Sequence, residues 1–453
     1  MNTWTMHVED FGKIKSADIE VAPMTLFVGD NNSGKSYIMT LIYGLLKTNF
    51  LNERYQIPKE SENFAECKKL FDKLVEKDNY ANKPFVNINM DENEIKVFEG
   101  VLNEILVLNK DAIVKDVFNR KIDIGSVKIQ FKKDNIYALK SELLNGEEMS
   151  ELFSVSSFNQ KGKWMEDGIL EFNERVRGYA YRLLLAYVIQ YMLAGSLDKI
   201  IYFPTARTGY VLTYKSLIGS ALKDKFNLDT MPKNLLTRPN SDFLMKLSEL
   251  TGNHMMNEET EQINRIQPAI DIIENNIVKG HVTISDMPVQ DIVYHPNDTD
   301  VHLPMFVTSG VVTEMTPLLL FLKNNPPQTI LIEEPEISLH PQLQCEIARV
   351  LIRLVNAGIS VFSTTHSDII LQQINNMIKL AKAADRETVC KKLGYEECDW
   401  IDQEKINVYQ FDADDSRGTV VRKLPCGDYG FEAMTFYDTM EALNRQTMVI
   451  EES

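Results

Sequence analysis

Gly29-Asp30-Asn31-Asn32-Ser33-Gly34-Lys35-Ser36 is the stretch that decides the fold. It has the spacing G-x-x-x-x-G-K-S of a P-loop. Its flanks are the ones such a loop requires. Ile19, Val21 and the apolar run Met24 to Val28 predict a strand before it, and Ile38, Met39, Leu41, Ile42, Leu45 and Leu46 recur at helical spacing after it. Glycines in such a loop let consecutive backbone N–H groups and the helix N-terminus wrap a phosphate chain. Lys35 then brings charge to the β and γ phosphates and Ser36 ligates magnesium. Asn32, Ser33, Gly34, Lys35, Ser36 and Tyr37 are the expected nucleotide contacts.

Further along, Thr329-Ile330-Leu331-Ile332 runs into Glu333-Glu334-Pro335-Glu336. A short β-branched run ending in two carboxylates reads as a Walker B strand at the carboxyl edge of a parallel sheet, where open α/β sheets bind ligands. Taken alone, the pair is a solvated strand end; beside an independent P-loop it becomes catalytic. Glu333 is expected to face magnesium, and Glu334 to orient and deprotonate the attacking water. After an amphipathic run from Gln342 to Val355, the strand Ile359 to Phe362 leads into Ser363-Thr364-Thr365-His366. From there His366 is expected to reach the γ-phosphate. Upstream, Thr308-Ser309-Gly310 opens the helical run Thr316 to Leu322, with Pro317 read in its first turn. A small hydroxyl and a glycine there make either an anion-binding helix end or an ordinary cap.

In this order the four motifs resemble the ABC-type ATPase heads of the SMC, Rad50 and RecF kind, and most closely the overcoming-lysogenization-defect (OLD) class of prokaryotic ATPases. The resemblance covers about residues 1–50, 198–212 and 300–453. It is carried by Phe11-Gly12-Lys13-Ile14, the P-loop, Tyr202-Phe203-Pro204-Thr205-Ala206-Arg207-Thr208-Gly209, Thr308-Ser309-Gly310, the Glu-Glu-Pro segment through Leu339-His340-Pro341, and Thr364-Thr365-His366-Ser367.

The resemblance implies an α/β, ABC-type P-loop head with a mixed or parallel sheet, flanking helices and helical insertions, using ATP and Mg2+. It also implies two heads that sandwich two ATP molecules: Lys35, Ser36 and Glu334 of one act with Ser309 and Gly310 of the other, and His366 senses the γ-phosphate. The sequence departs from the ABC pattern in three places. Glu333 stands where aspartate is usual, Thr308-Ser309-Gly310 replaces Leu-Ser-Gly-Gly, and the Q-loop glutamine has only Gln130, on the strand-like Val127 to Phe131, as a candidate.

Between the motifs the chain divides into expected segments. Residues 1–55 carry the P-loop part of the head, and 56–198 a mainly helical insertion with runs at Ala65–Leu74, Ile95–Leu108 and Leu170–Tyr191 and a hairpin near Ile122 to Tyr137. Residues 199–213 hold a head strand and the Pro-Thr-Ala-Arg motif, 214–299 a short helical arm, and 300–453 the rest of the head. Sustained heptads are missing, which excludes a long coiled coil. His281, His295 and His302 with Asp291 match no metal spacing and read as loop positions.

The chain has 453 residues, with 48 basic against 65 acidic side chains and a net charge of −17. A bulk polyanion binder is excluded, so any nucleic-acid contact is local. Five cysteines without a C-x-x-C pair point to a reducing compartment. The N-terminus lacks a secretory pattern and the greasiest segment, Leu183 to Gly195, is too short to cross a bilayer, so a cytoplasmic protein is expected.

Many OLD proteins carry a C-terminal TOPRIM nuclease, but 87 residues follow His366 (453 − 366). Asp412-Ala413-Asp414 then reads as part of a hairpin turn between Ile406–Phe411 and Thr419–Leu424. The expectation is an ATPase without its own nuclease, pairing with itself and with a separate nuclease or toxin, like the ATPase halves of antiphage systems such as PARIS and Septu. The alternative is a DNA-repair or recombination ATPase of the Rad50 or RecF type.

Overall fold

The computed structural model describes residues 3–50, 52, 54–75, 77–80, 85–133, 135–146, 151–158, 164–172, 177–194, 199–205, 207–226, 236–252, 260–285, 291–414 and 418–451. Three strands open the chain, β1 (Trp4–Phe11), β2 (Ile14–Glu20) and β3 (Met24–Gly29), followed by α1 (Lys35–Lys47) and α2 (Glu62–Val75). The next part holds β4 (Phe85–Asn89), α3 (Glu92–Phe118), β5 (Ser126–Phe131), β6 (Ala138–Gly146), β7 (Glu151–Phe158), β8 (Trp164–Phe172) and α4 (Arg177–Leu193). Then come β9 (Ile200–Phe203), α5 (Arg207–Phe226), α6 (Arg238–Gly252), α7 (Thr260–Ile272), β10 (Gly280–Ile284), β11 (Ile292–Pro296) and β12 (Leu303–Pro304). The motif-bearing half has α8 (Gly310–Asn324), β13 (Thr329–Glu333), α9 (Pro341–Asn356), β14 (Ser360–Thr364), α10 (Asp368–Lys382), α11 (Arg386–Leu393), β15 (Ile406–Asp414), β16 (Gly418–Lys423) and α12 (Met434–Glu451).

One mixed sheet organises these elements, in the order β5-β1-β2-β16-β15-β3-β14-β13-β9. Strands β15, β3, β14, β13 and β9 run parallel to one another and β16 runs parallel to β2, while β5-β1-β2 and β15-β16 pair antiparallel. The parallel strands are apolar on both faces, as helices on both sides demand. Along β3, Phe27 enters one core with α1 to α4, and Met24, Leu26 and Val28 enter the other with α6 to α10. Leu331 against Ile330 and Ile332 on β13 repeats the division. The expected α/β head with a mixed sheet and flanking helices is therefore what forms.

The inserted parts differ from their expected forms. Ile122 to Tyr137 is not a hairpin: β5 pairs with β1 at the edge of the main sheet, and the chain then enters a separate antiparallel sheet, β4-β6-β7-β8. Leu170 to Phe172 ends β8, and the helix read from Leu170 begins only at Arg177. Its neighbours across β7, not its own periodicity, make that end a strand.

Residues 214–299 hold helices, but these do not stand off as an arm. Phe243 and Leu247 of α6 and Ile266 and Ala269 of α7 are buried in the same core as Phe203 and Phe321. Within that segment β10 and β11 pair antiparallel, and His281 sits opposite His295, whose ring lies 4.4 Å from that of His302. Two of the three histidines expected in loops are thus on strands. Among the described residues no group of three or more His, Cys, Asp or Glu is arranged to hold a metal. Nor is any helix there long and apolar enough to cross a membrane.

Candidate functional site

Parallel pairing places three strand ends side by side. Phe27 of β3 is in register with Thr364 of β14, and Thr364 with Glu333 of β13. The loops leaving those strands surround a cavity of about 340 Å³ lined by Phe11, Gly12, Lys13, Ile14, Asn31, Asn32, Ser33, Gly34, Lys35, Ser36, Tyr37, Ile122, Glu334, Thr364 and His366. All six residues expected from the P-loop stretch line it, as do Glu334 and His366.

Local backbone chemistry shapes the phosphate-loop side. Gly34 precedes α1 at φ +101, a left-handed value that suits glycine, and a Cβ there would lie 3.0 Å from the Ile14 side chain. No side chain caps α1, and its first turn has no acidic residue. Its leading N–H groups therefore favour an anion at the cavity. The Lys35 ammonium, buried with 5% exposure, donates to the carbonyls of Gly29 (3.0 Å) and Asp30 (2.6 Å). Burial pulls its pKa down to about 8, against the opposing pull of Glu334, Asp30 and Glu336. Ser36 is exposed toward the cavity, and Tyr37 packs its ring against Phe11 and Phe118 at 5.9 and 5.4 Å.

On the carboxylate side, Glu333 and Glu334 have different surroundings. Glu333 is buried and does not line the cavity. Its carboxylate accepts from the Tyr202 hydroxyl (2.8 Å), the Thr205 hydroxyl (2.8 Å) and the Thr205 N–H (3.2 Å). Tyr202 is in turn 3.4 Å from the Thr40 hydroxyl on α1. Glu334 turns into the cavity through a left-handed backbone, φ +42, whose N–H donates to the Thr364 carbonyl at 3.0 Å. Such a conformation costs a non-glycine residue roughly 1–3 kcal/mol and needs surrounding contacts to hold it.

Burial, then the charges of Glu336 and Glu333, push the Glu334 pKa up, which makes it a stronger base. His366 Nε2 lies 3.9 Å from Glu334 Oε1. Burial and then Lys35 lower its pKa, which favours the neutral imidazole beside Glu334.

Two residues outside the predicted set complete the site's support. Glu336 accepts from the Thr365 hydroxyl (2.8 Å) and the His366 N–H (2.6 Å), tying the histidine loop to the Walker B loop. Arg207, fully buried, donates to the carbonyls of Glu333 (2.6 Å) and Glu334 (3.1 Å) and lies 2.9 Å from the Glu314 carboxylate. Its place in the Pro-Thr-Ala-Arg motif was the available signal, but the role needed the fold. Ala206 lies outside the described residues.

Other expected residues fall elsewhere. Ser309 caps α8, its hydroxyl accepting from the Val312 N–H at 3.5 Å, and with Gly310 it stands outside the cavity. Because α8 begins at Gly310, Pro317 sits in the helix interior and not in the first turn. Gln130 is not a Q-loop residue: it is exposed on edge strand β5 opposite Thr5, toward the end of β1 remote from Phe11. Alternation on a strand gave that position no direction toward the site. Asp412 lies on β15, paired with Arg422 at 2.5 Å across the expected hairpin. The hairpin tip, residues 415–417, and the side chain of Asp414 lie outside the described residues.

A hydroxyl (Ser36), a cavity-facing carboxylate (Glu334) and uncapped helix N–H groups are hard-oxygen and anion-binding chemistry, which fits a phosphate chain carrying Mg2+. A family model described as an AAA ATPase domain matches residues 1–371, a span that includes every one of these residues. No curated protein matches the sequence. Three solved structures are similar. One is an SMC head bound to the C-terminal winged-helix domain of ScpA (13% identity, TM-score 0.37, 94% of this chain and 98% of that one). Another is the SMC head domain from Thermotoga maritima (10%, TM-score 0.34, 94% and 100%). The third is an SMC head with an extended coiled coil, bound to the C-terminal domain of ScpA derived from Pyrococcus furiosus (12%, TM-score 0.35, 98% and 99%).

Proposed function

The chain belongs to the AAA ATPase domain family, and from that premise we propose that it hydrolyses ATP in the cavity between the phosphate loop and the Walker B strand. The observation that carries the reading is the convergence of Lys35, Ser36, Glu334 and His366 on one cavity. Bound Mg2+, held through Ser36 with Glu333 behind it, would neutralise phosphate charge. Lys35 leaves its loop carbonyls to meet the β and γ phosphates, and Tyr37 offers an exposed ring beside them. Glu334 takes a proton from water in line with the γ-phosphoryl group, and neutral His366 donates toward that group.

The same proposal includes pairing of two heads. Ser309 and Gly310 stand outside the chain's own cavity, and Phe306 and Val307 beside them are exposed. That arrangement supports a role for the α8 N-terminus on a second copy. In the cell we assign the protein to the control of a separate nuclease or toxin in bacterial antiphage defence, a reading supported by the OLD-like motif set together with the acidic balance. The test is ATP turnover by the purified chain, followed by co-purification with the products of neighbouring genes and phage challenge with Glu334→Gln. Full protection by Glu334→Gln without any neighbouring gene would overturn it, and DNA-stimulated turnover would favour a repair ATPase instead.

A further inference from the structure

We propose that the buried Arg207–Glu314 pair links the Ser309-capped end of α8 to the Glu334 peptide, making Arg207 a positioning residue for hydrolysis. The inference rests on the reading of Glu334 as the base.

Arg207 is the first residue of α5 and is fully buried, yet it does not line the nucleotide cavity. Its guanidinium spends two nitrogens on main-chain oxygens, those of Glu333 at 2.6 Å and Glu334 at 3.1 Å. A planar fork of donors fixes both carbonyls together, which a flexible ammonium does not do. Glu334 has φ +42, so the orientation of the peptides around it decides where its carboxylate points. Arg207 holds that turn from the buried side.

The third nitrogen, Nε, lies 2.9 Å from Glu314 Oε2, a buried charge contact in which neither atom completes a hydrogen bond. Glu314 lies on α8 five residues after Ser309, and its other oxygen accepts from the Thr208 N–H at 3.1 Å. The Thr208 and Thr313 hydroxyls meet at 2.9 Å, a second contact between α5 and α8. At its start α8 also approaches the Walker B loop, since a Cβ at Gly310 would sit 3.3 Å from the Ser338 hydroxyl. A helix is stiff over five residues. An anion or partner that shifts the Ser309 end therefore shifts Glu314, then Arg207, then the peptide that aims Glu334. The reverse holds as well, because coupling between two sites is reciprocal.

The experiment uses the full chain with Arg207→Lys and Glu314→Gln, each alone and combined with Glu334→Gln. Folding is read by thermal denaturation, MgATP affinity by calorimetry, and turnover at saturating ATP. The expected result is a tenfold or larger loss of kcat in each single variant with affinity held within twofold. In the Glu334→Gln background neither change should lower residual turnover further, because the group being positioned is already disabled. Unchanged kcat in both variants, or affinity falling in step with kcat, would overturn the inference. So would an additive loss in the Glu334→Gln background, the mark of a merely structural pair. Should Arg207→Lys fail to fold, Glu314→Gln decides by the same criteria, since it keeps the side-chain length and the acceptor for Thr208; failure of both to fold also refutes the proposal. Undiminished turnover in Glu334→Gln alone defeats the base reading and this inference with it, whereas slow Glu334→Gln beside normal Arg207→Lys and Glu314→Gln defeats only the inference.

Discussion

Gly29 and Phe411 are so close that a Cβ on Gly29 would sit 2.3 Å from the Phe411 carbonyl oxygen. The glycine that opens the phosphate loop is thus held against a strand contributed by the far end of the chain. It also has φ +125, a backbone region closed to other residues without strain. Gly29→Ala forces β3 and β15 apart and is expected to cost on the order of 3 kcal/mol. Thermal denaturation with and without MgATP checks this; a melting temperature within 1 °C of the parent, with ATP binding intact, would contradict it.

Lys35→Ala and Glu334→Gln separate binding from chemistry. Removing the phosphate-facing ammonium should abolish nucleotide binding, whereas an amide at 334 should preserve binding and slow turnover a hundredfold or more. Calorimetric affinity and single-turnover rates report the two effects. Undiminished turnover in Glu334→Gln removes it as the base, and unchanged affinity in Lys35→Ala removes the phosphate-loop role.

The lowered pKa of Lys35, about 8 in the fold against 10.5 for a free side chain, has two pH consequences of opposite sign. Between pH 8 and 10.5 the unfolded chain binds more protons at this residue than the folded one, so the contribution of Lys35 to stability rises with pH across that window. Phosphate binding instead needs the ammonium, whose fraction falls above pH 8. ATP affinity is therefore expected to weaken by up to tenfold per pH unit above about 8, with proton uptake on binding visible in buffers of different ionisation enthalpy. Lys35→Arg should flatten that slope, and an equal slope in the arginine variant would refute the assignment.

Ser309→Arg tests pairing of heads. Since Ser309 lies outside its own chain's cavity, ATP affinity of the isolated chain should be nearly unchanged, while cooperative turnover and nucleotide-dependent association disappear. Mixing with Lys35→Ala should regenerate one composite site. Absence of recovery at every mixing ratio counts against the sandwich.

Asp399 joins α9 to the α11 region by accepting from Arg353 Nε at 2.7 Å and Arg349 Nη2 at 2.8 Å while fully buried. Burial alone would raise its pKa, but the hydrogen bonds from Arg353 and Arg349 outweigh that and hold it below the ordinary value. Its stabilisation is therefore present above the unfolded-state pKa of about 3.9 and lost as pH falls through the folded-state value. Asp399→Ala removes the carboxylate that Arg349 and Arg353 share, leaving Arg349 with Glu346 at 3.0 Å and Arg353 with the exposed Glu396 at 3.4 Å, and should cost on the order of 3 kcal/mol at pH 7. Urea unfolding at pH 7 and pH 3 measures it, and a penalty that does not shrink on acidification would argue against the pair.

Much of the candidate site was legible because its signals are local. Lys35, Ser36, Glu334 and His366 each follow a short apolar strand, and a buried parallel strand shows itself as a run of Val, Ile, Leu and Phe without reference to the rest of the chain. Ser309 was legible as a helix start for the same reason, its hydroxyl serving an N–H three residues on. Gln130 misled because alternation reveals only that a residue is on a strand, not which end of which neighbour it meets.

By itself, then, the sequence determined an α/β head of the ATPase kind, its phosphate loop and the strand ends that line its cavity, since these depend on backbone chemistry within about ten residues. Tertiary structure alone decided that β15 and β16 enter the main sheet between β2 and β3, that β5 joins its edge, and that Gly29 is pinned by Phe411. It alone decided that Arg207 spends its charge on the Glu333 and Glu334 carbonyls and on Glu314. Strand neighbours and buried charge partners are chosen by which surfaces exclude water together across more than a hundred residues of chain, and no local period carries that information.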